Sequence, residues 1–308
     1  GPEDDPAIIN TLWAVVISDP DPTPIELGAE NIIHFADFSP ASGDTYQVAY
    51  SSAEAAAGSP GWQANNDLVI ITFASSGRIL DIERVLDASS GGSYGWWGTT
   101  FAWSPDGTRL AYARPDGIGI VDLDDAVLEP AVDMTPYQSL GDWAWIPGVA
   151  WGQDARTLFF VDHGSPVGLE GEAASPAFDI AAQPSRGGQI LRLADRTGMF
   201  AYPSVSPAQQ LPGGEIAYRL AFLQALAPLE SQTSTYQLVV MDRDGSNRTT
   251  LFPASGEVGL AAQPLTWSPD ASRLGLIYRN DLWIVDVTSG VGQRLTGDGQ
   301  TLAVDWKP

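Results

Sequence analysis

The sequence contains no cysteine, only two histidines and a single lysine, Lys307. The absence of cysteine excludes a thiol nucleophile, a zinc–thiolate centre and a disulfide framework. It also suits a protein that is exported to an oxidising compartment, although many cytosolic proteins share it. No apolar run approaches the roughly 18 residues that a membrane-spanning helix requires. We therefore expect no membrane insertion.

Positive charge is scarce as well. Among 308 residues, 15 are Lys or Arg and 38 are Asp or Glu, which gives a formal charge of -23. A surface of that charge repels nucleic acid and anionic lipid, so neither is an expected partner. The chain is 44% hydrophobic and contains 32 Gly and 23 Pro. This composition predicts a globular protein with many turns.

One phrase recurs along the chain: an apolar run, an aromatic residue, and then Ser-Pro, often followed by Asp. The clearest copies are residues 38–40, 103–106 and 267–270, and weaker ones are residues 151–154, 205–207 and 306–308. Ser-Pro-Asp ends one strand and begins a tight turn, because Pro presets φ. Short β-branched and aromatic runs between such turns are typical of strands. Ala221 to Leu229 is the one stretch that suggests a short helix.

Repeats of roughly 40–65 residues, each with three or four antiparallel strands, are typical of propeller blades. The sequence therefore predicts an all-β, six-bladed β-propeller of four-stranded antiparallel blades. We expect the N-terminal strands to pair with the C-terminal strand and close the ring, because residues 10–16 resemble residues 280–286. The prediction is a single domain, 1–308. Residues 1–7 would be a cleavage scar and tail, residues 8–28 with 300–308 the closing blade, and residues 29–88, 92–138, 145–196, 199–255 and 261–298 the other five.

The phrase Trp-Ser-Pro-Asp-Gly at residues 103–107, followed by Thr-Arg-Leu-Ala-Tyr, resembles the repeat of TolB-type propellers, which are similar to WD repeats. The turn at residues 241–247 resembles the third-to-fourth-strand turn of the same family. The resemblance covers nearly the whole chain and is strongest in blades two and five. It implies an exported six-bladed propeller that acts as a binding scaffold.

Several patterns suggest chemistry but have simpler explanations. Residues 91–95 match G-x-S-x-G, yet a second strand rather than a helix is expected to follow them. His34 and His163 are the only candidates for a histidine base, and structural roles are favoured for both. The alternating oxygens of Asp242, Asp244, Ser246 and Asn247 suggest a calcium loop, but the acid expected at its twelfth position is missing. We expect no cofactor, and calcium is the one alternative.

The positions of the tryptophans give the most information about a candidate binding surface. The chain contains 11 tryptophans, and several recur at equivalent strand positions. Other aromatics lie in loops between blades or in long second-to-third-strand insertions near residues 51–65, 163–176 and 220–235, which should emerge on one face. The candidate binding residues on that face are Trp62, Trp96, Trp97, Asp142, Trp143, Trp145 and His163.

Loops on a rigid scaffold commonly carry binding residues. We therefore expect a non-enzymatic, exported scaffold that recognises a protein or peptide, with a glycan as the second choice of partner. Its location would be periplasmic, cell-surface or secreted. The alternative is a hydrolase or lyase that acts on a saccharide or lactone at the channel mouth. A structural module of a larger envelope protein is the third possibility.

Overall fold

The computed structural model describes residues 10–17, 21–40, 45–56, 61–139, 141, 143–211 and 213–306. Its described elements are β-strands and three short 3₁₀ helices. None of the helices in this part of the chain has the length and apolar character needed to cross a membrane. The chain divides into two compact units. Unit 1 comprises residues 1–133 and 139–146, and unit 2 comprises residues 134–138 and 147–308.

Unit 1 contains a two-stranded sheet and two propeller-type blades, all antiparallel. The two-stranded sheet is β1 (Thr11–Ala14) with β2 (Ile25–Glu30). Blade one orders β3 (Ile32–Phe38), β4 (Thr45–Ala55), β6 (Leu68–Ala74) and β7 (Ile79–Leu86), and a short β5 (Trp62–Ala64) pairs with the end of β4. After the 3₁₀ helix Gly92–Trp97, blade two comprises β8 (Thr100–Trp103), β9 (Arg109–Arg114), β10 (Gly117–Asp122) and β11 (Val127–Asp133).

Unit 2 contains three four-stranded antiparallel blades. Blade three comprises β12 (Val149–Trp151), β13 (Thr157–His163), β14 (Phe178–Pro184) and β15 (Leu191–Ala194), with the 3₁₀ helix Glu172–Ala174 between β13 and β14. Blade four comprises β16 (Ser204–Val205), β19 (Arg219–Ala225), β20 (Tyr236–Asp242) and β21 (Thr249–Phe252), with the hairpin β17 (Gln209–Gln210) and β18 (Ile216–Ala217) and the 3₁₀ helix Pro228–Glu230. Blade five comprises β22 (Thr266–Trp267), β23 (Arg273–Tyr278), β24 (Asp281–Asp286) and β25 (Gly292–Arg294).

The cores lie on the faces of these sheets. Blade one is apolar on both faces: Leu27 and Ala29 of β2 pack on one face, and Phe101 and Leu110 of blade two pack on the other. In unit 2, a large cluster joins blades four and five and includes the fully buried Tyr236. Strands that are buried on both faces have nearly continuous apolar sequences, as residues 219–225 do.

The Ser-Pro-Asp phrase forms the tight turn that the sequence predicts. In blade two, the Ser104 hydroxyl donates to Asp106 Oδ1 (2.6 Å), and the Arg109 amide donates back to Ser104 Oγ (3.0 Å). Blade five repeats both bonds with Ser268, Asp270 and Arg273, at 2.6 and 2.9 Å. The phrase therefore closes the first-to-second-strand turn by side-chain hydrogen bonds within the turn itself.

Two expectations about blade number and closure are wrong. The described residues form five blades, not six. The N-terminal strands pair only with each other among the described residues, and residues 295–306 contain no strand. Instead, Thr301 N donates to Asn280 O (3.0 Å), and the Trp306 indole donates to Thr266 O (3.2 Å).

Two local expectations also change. The stretch Ala221 to Leu229 is not a helix: it continues β19 as far as Ala225, and a 3₁₀ turn follows at Pro228–Glu230. A continuous apolar run does not distinguish a buried strand from a buried helix, and pairing with β20 decides the matter here. Residues 189–193, whose place in blade three the sequence left open, overlap its fourth strand, β15.

Candidate functional site

The long insertions of unit 2 leave the same end of blades three and four. The β13–β14 connection covers residues 164–177, and the β19–β20 connection covers residues 226–235. The expected insertion at 220–235 is therefore shorter than predicted, because its first six residues belong to β19. In blade one, most of the expected insertion at 51–65 is strand: β4 extends to Ala55, and β5 pairs back onto it.

His163 lies at the end of β13 and is held on both sides of its ring. Its Nδ1 lies 2.7 Å from the Thr135 carbonyl oxygen, and its Nε2 lies 2.9 Å from that of Ser175. Both partners are acceptors, so a ring nitrogen that carries a proton donates to the carbonyl oxygen that it faces. The ring also stacks on Phe178, with centroids 5.0 Å apart and an interplanar angle of 18°. His163 therefore joins segment 134–138 to the β13–β14 connection.

A cavity of about 200 Å³ opens beside this stack. Its apolar wall comes from Tyr137, Pro176, Phe178, Met199 and Leu229, and its polar wall from residues 230–233. Two hydrogen bonds fix the polar wall: Tyr236 Oη donates to Ser231 O (2.6 Å), and Met199 N donates to Ser231 Oγ (3.1 Å). An apolar cavity of about 150 Å³ binds benzene, whereas sites for drug-sized ligands span roughly 300–1,000 Å³. The cavity therefore suits one large side chain.

Exposed apolar side chains lie in both connections, and Leu229 among them lines the cavity. Leu229 is 40% exposed and Leu226 is 53% exposed, both in the β19–β20 connection. Val167 and Leu169 are exposed in the β13–β14 connection. We call residues 164–177 and 226–235, together with Tyr137, the blade three–four loop surface. Scattered exposed apolar residues are ordinary, but several of them in two neighbouring connections indicate a candidate interaction surface.

The tryptophans of unit 1 form a separate group. Trp96 and Trp97 are half-buried in the 3₁₀ helix Gly92–Trp97, which contacts β5, where Trp62 is also half-buried. His34 Nε2 donates to the Trp97 carbonyl oxygen (2.9 Å), and Asn66 Nδ2 donates to Gly95 O (2.8 Å). Burial lowers the pKa of His34 below its ordinary value. Backbone contacts therefore fasten these aromatics to blade one.

The remaining predicted residues lie between β11 and β12. Asp142 falls outside the described residues. Trp143 is half-buried, and its carbonyl oxygen accepts a hydrogen bond from the Ser139 hydroxyl. Trp145 is only 2% exposed, so it presents almost no indole surface to a partner in this structure.

The structure therefore places Trp62, Trp96 and Trp97 near one another in unit 1 and His163 in unit 2. It also shows residues that the sequence analysis missed around the cavity, namely Tyr137, Phe178, Met199 and Leu229. Their spacing in sequence carries no pattern, because they come from four separate segments. The length of the β13–β14 and β19–β20 connections was the only signal that could have indicated them.

The other chemical motifs form ordinary local structure. In the turn after β20, Asn247 Nδ2 donates to Asp242 Oδ2 (2.7 Å), and the Ser246 hydroxyl donates to Asp244 Oδ1 (2.6 Å). Ser93 of the G-x-S-x-G match lies in the 3₁₀ helix rather than between a strand and an α-helix. Across the described ranges, no group of three or more His, Asp or Glu side chains is arranged to hold a metal ion.

No protein-family model and no curated protein sequence matches this chain. Among solved structures, the chain is similar to an acylaminoacyl peptidase from Pyrococcus horikoshii at 14% identity and a TM-score of 0.44, over 82% of this chain and 38% of the peptidase. A prolyl endopeptidase gives 10% identity and a TM-score of 0.49, over 87% of this chain and 37% of the endopeptidase. A Bacteroides uniformis structure described as a proposed 6-phosphogluconolactonase gives 11% identity and a TM-score of 0.44, over 95% of this chain and 78% of the other chain.

The chain spans little more than a third of the length of each of the two peptidases. Identities and TM-scores this low support no argument about activity. The TolB-type resemblance also stays a prediction, because no protein-family model matches the chain.

Proposed function

We propose that this protein is a non-enzymatic binding scaffold that recognises a protein or peptide through the blade three–four loop surface. A large apolar side chain of the partner would occupy the cavity lined by Tyr137, Phe178, Met199 and Leu229. The observation that carries the proposal is the cavity of about 200 Å³, which has an apolar wall and the exposed Leu229 in its lining. A buried aromatic or aliphatic anchor in a well-packed pocket is the usual centre of a protein interface.

Charge gives the partner a second property. Glu230 lines the cavity, and Glu170 and Glu172 lie in the neighbouring connection. The whole chain carries a formal charge of -23. Complementary charge speeds association and excludes acidic competitors. We therefore propose a partner segment in which Lys or Arg residues flank an aromatic or large aliphatic side chain.

We also propose that the protein is a TolB-type scaffold and that it is exported. The Trp-Ser-Pro-Asp-Gly repeat supports a TolB-type scaffold, and the acidic sequence without cysteine suits export. Trp62, Trp96 and Trp97 are a further proposed contact region within unit 1, supported by their half-buried indoles in β5 and the adjoining 3₁₀ helix.

Selection of linear peptides from a displayed random library tests the proposal. We expect selected peptides to share one aromatic or large aliphatic residue beside Lys or Arg. Leu229→Ser should weaken their binding by at least about tenfold, because it removes apolar surface at the cavity rim. Glu230→Lys should also weaken binding, and more strongly at low salt.

Val291→Ser is the matched control, since Val291 is 65% exposed but lies in the turn between β24 and β25. It should leave peptide affinity unchanged. Selected peptides that bind wild type and Leu229→Ser equally, or a selection that enriches no peptide, would contradict the proposal.

A further inference from the structure

Blade four departs from the turn that blades two and five use. Blades two and five place Asp106 and Asp270 after Ser-Pro, and each closes a tight turn. Blade four has Ala208 at that position, and the hairpin β17–β18 follows it. An insertion on a rigid scaffold is where a binding site commonly forms.

This hairpin and the turn after β20 enclose a second cavity, with a volume of about 360 Å³. That volume lies within the range of about 300–1,000 Å³ that is typical of small-molecule sites. The cavity lies at the opposite end of β19 and β20 from the loop surface, because Arg219 pairs with Asp242 there and Ala225 pairs with Tyr236 at the other end. Its lining includes Leu211, Glu215, Ile216, Tyr218, Arg219 and Arg243.

Two guanidinium groups lie in the lining, and that of Arg243 interacts electrostatically with the Asp244 carboxylate. Neither Arg219 nor Arg243 forms an ion pair within the part of the chain that the structure describes. Arg219 lies over the Trp267 ring (5.8 Å to the centroid) and donates once, to the Ala271 carbonyl oxygen (3.0 Å). Arg243 lies over the Tyr218 ring at 5.5 Å and donates a hydrogen bond to the Tyr218 hydroxyl. Both retain N–H donors suited to a carboxylate.

The acidic residues of the lining divide into two kinds. Asp242 and Asp244 accept hydrogen bonds within their own turn, from Asn247 (2.7 Å) and Ser246 (2.6 Å). Glu215 is exposed on the hairpin wall, and its carboxylate accepts no hydrogen bond from the described side chains or backbone. The cavity thus combines two guanidiniums, one carboxylate without a turn role, and the apolar side chains Leu211 and Ile216.

We propose that this cavity binds a small zwitterion of the α-amino acid class. The ligand carboxylate would meet Arg243 and the remaining donors of Arg219, and the ligand ammonium would meet Glu215. An aliphatic side chain would lie on Leu211 and Ile216. This site is separate from the proposed protein-binding surface, so either proposal can fail alone.

Isothermal titration of the whole chain with three related probes tests the site: L-leucine, N-acetyl-L-leucine and L-leucinamide. We expect L-leucine to bind with a Kd below about 1 mM, and each derivative to bind at least about tenfold more weakly because it lacks one charge. Equal affinity for all three probes, or no heat with L-leucine at millimolar concentration, would overturn the proposal.

Variants locate the binding. Arg243→Gln should weaken L-leucine binding by at least about tenfold, since it removes a charge-assisted bond to the carboxylate. Glu215→Gln should reduce the preference for L-leucine over N-acetyl-L-leucine. Arg186→Gln, in the turn between β14 and β15, is the control and should bind L-leucine as wild type does. Circular dichroism checks folding, and unchanged L-leucine affinity in a folded Arg243→Gln variant would refute the site.

Discussion

Asp281 and Arg294 form an ion pair 2.6 Å long between the third and fourth strands of blade five, with the carboxylate buried and the guanidinium half exposed. Blade three repeats the arrangement with Asp179 and Arg192 at 2.9 Å, and blade one with Asp67 and Arg84 at 2.8 Å. Each aspartate lies at or beside the start of the third strand. Each also accepts a backbone amide: Asp67 that of Ser52, Asp179 that of Arg196 and Asp281 that of Gly299.

The Asp281–Arg294 pair should contribute to stability as a coupled unit. In a double-mutant cycle with Asp281→Asn and Arg294→Gln, we expect a coupling free energy of about 1–2 kcal/mol, lower than for a fully buried pair because solvent screens the arginine. Urea unfolding measures it. Asp195 is exposed and lies 3.6 Å from Arg192, so Asp195→Asn should cost less than about 0.5 kcal/mol. A coupling near zero for Asp281–Arg294 would show that the pair is dispensable.

Acid should weaken the Ser-Pro-Asp turn of blade five. Hydrogen bonds from Ser268 and Ser272 lower the pKa of Asp270 from its ordinary value to about 2. A carboxylate whose pKa is lower in the folded state stabilises the fold above its unfolded pKa. This stabilisation is present above about pH 3.8 and disappears as pH falls through about 2.

Asp270→Asn removes that titration. The difference in unfolding free energy between wild type and Asp270→Asn should therefore shrink as pH falls below about 3.8. Urea unfolding between pH 6 and pH 2.5 measures the difference, and Asp195→Asn serves as an exposed control. A constant difference over that pH range would contradict the prediction.

His34 should make unit 1 sensitive to mild acid. Burial lowers its pKa below 6.5, so the folded state resists protonation more than the unfolded state does. The neutral ring stabilises the fold above pH 6.5, and this contribution is lost as pH falls through the lowered pKa.

His34→Gln keeps an amide N–H that can donate to the Trp97 carbonyl but does not titrate. We expect wild type to lose more thermal stability than His34→Gln between pH 7.5 and pH 5. Differential scanning calorimetry checks this, and equal shifts in Tm for the two proteins would show that His34 does not titrate in this way.

Replacing a loop tryptophan should cost more stability where its indole is more deeply buried. Trp145 is 2% exposed, so Trp145→Ala should lower the free energy of unfolding by about 3–5 kcal/mol. Trp96 is only half-buried, and Trp96→Ala should cost about half as much because less apolar area is lost. Urea unfolding of both variants measures this. Equal losses of unfolding free energy in the two variants would contradict the prediction.

The sequence was informative about the candidate site only where a feature is local. The unusual length of the β13–β14 connection and the position of His163 at the end of a strand were both readable from residue order. The cavity was not, because Tyr137, Phe178, Met199 and Leu229 come from separate segments that meet only in the folded unit. Trp145 looked like a loop residue in sequence, and only packing shows that it is buried.

The sequence by itself determined the all-β character, the blade-sized repeat and the Ser-Pro-Asp turns. These depend on alternation along a strand and on hydrogen bonds between residues two to five positions apart. The tertiary structure alone decided the blade number, the strand identity of residues 221–225 and the placement of residues 295–306 against blade five. Each of these depends on pairing between distant segments, which compete for the same backbone groups and apolar surfaces.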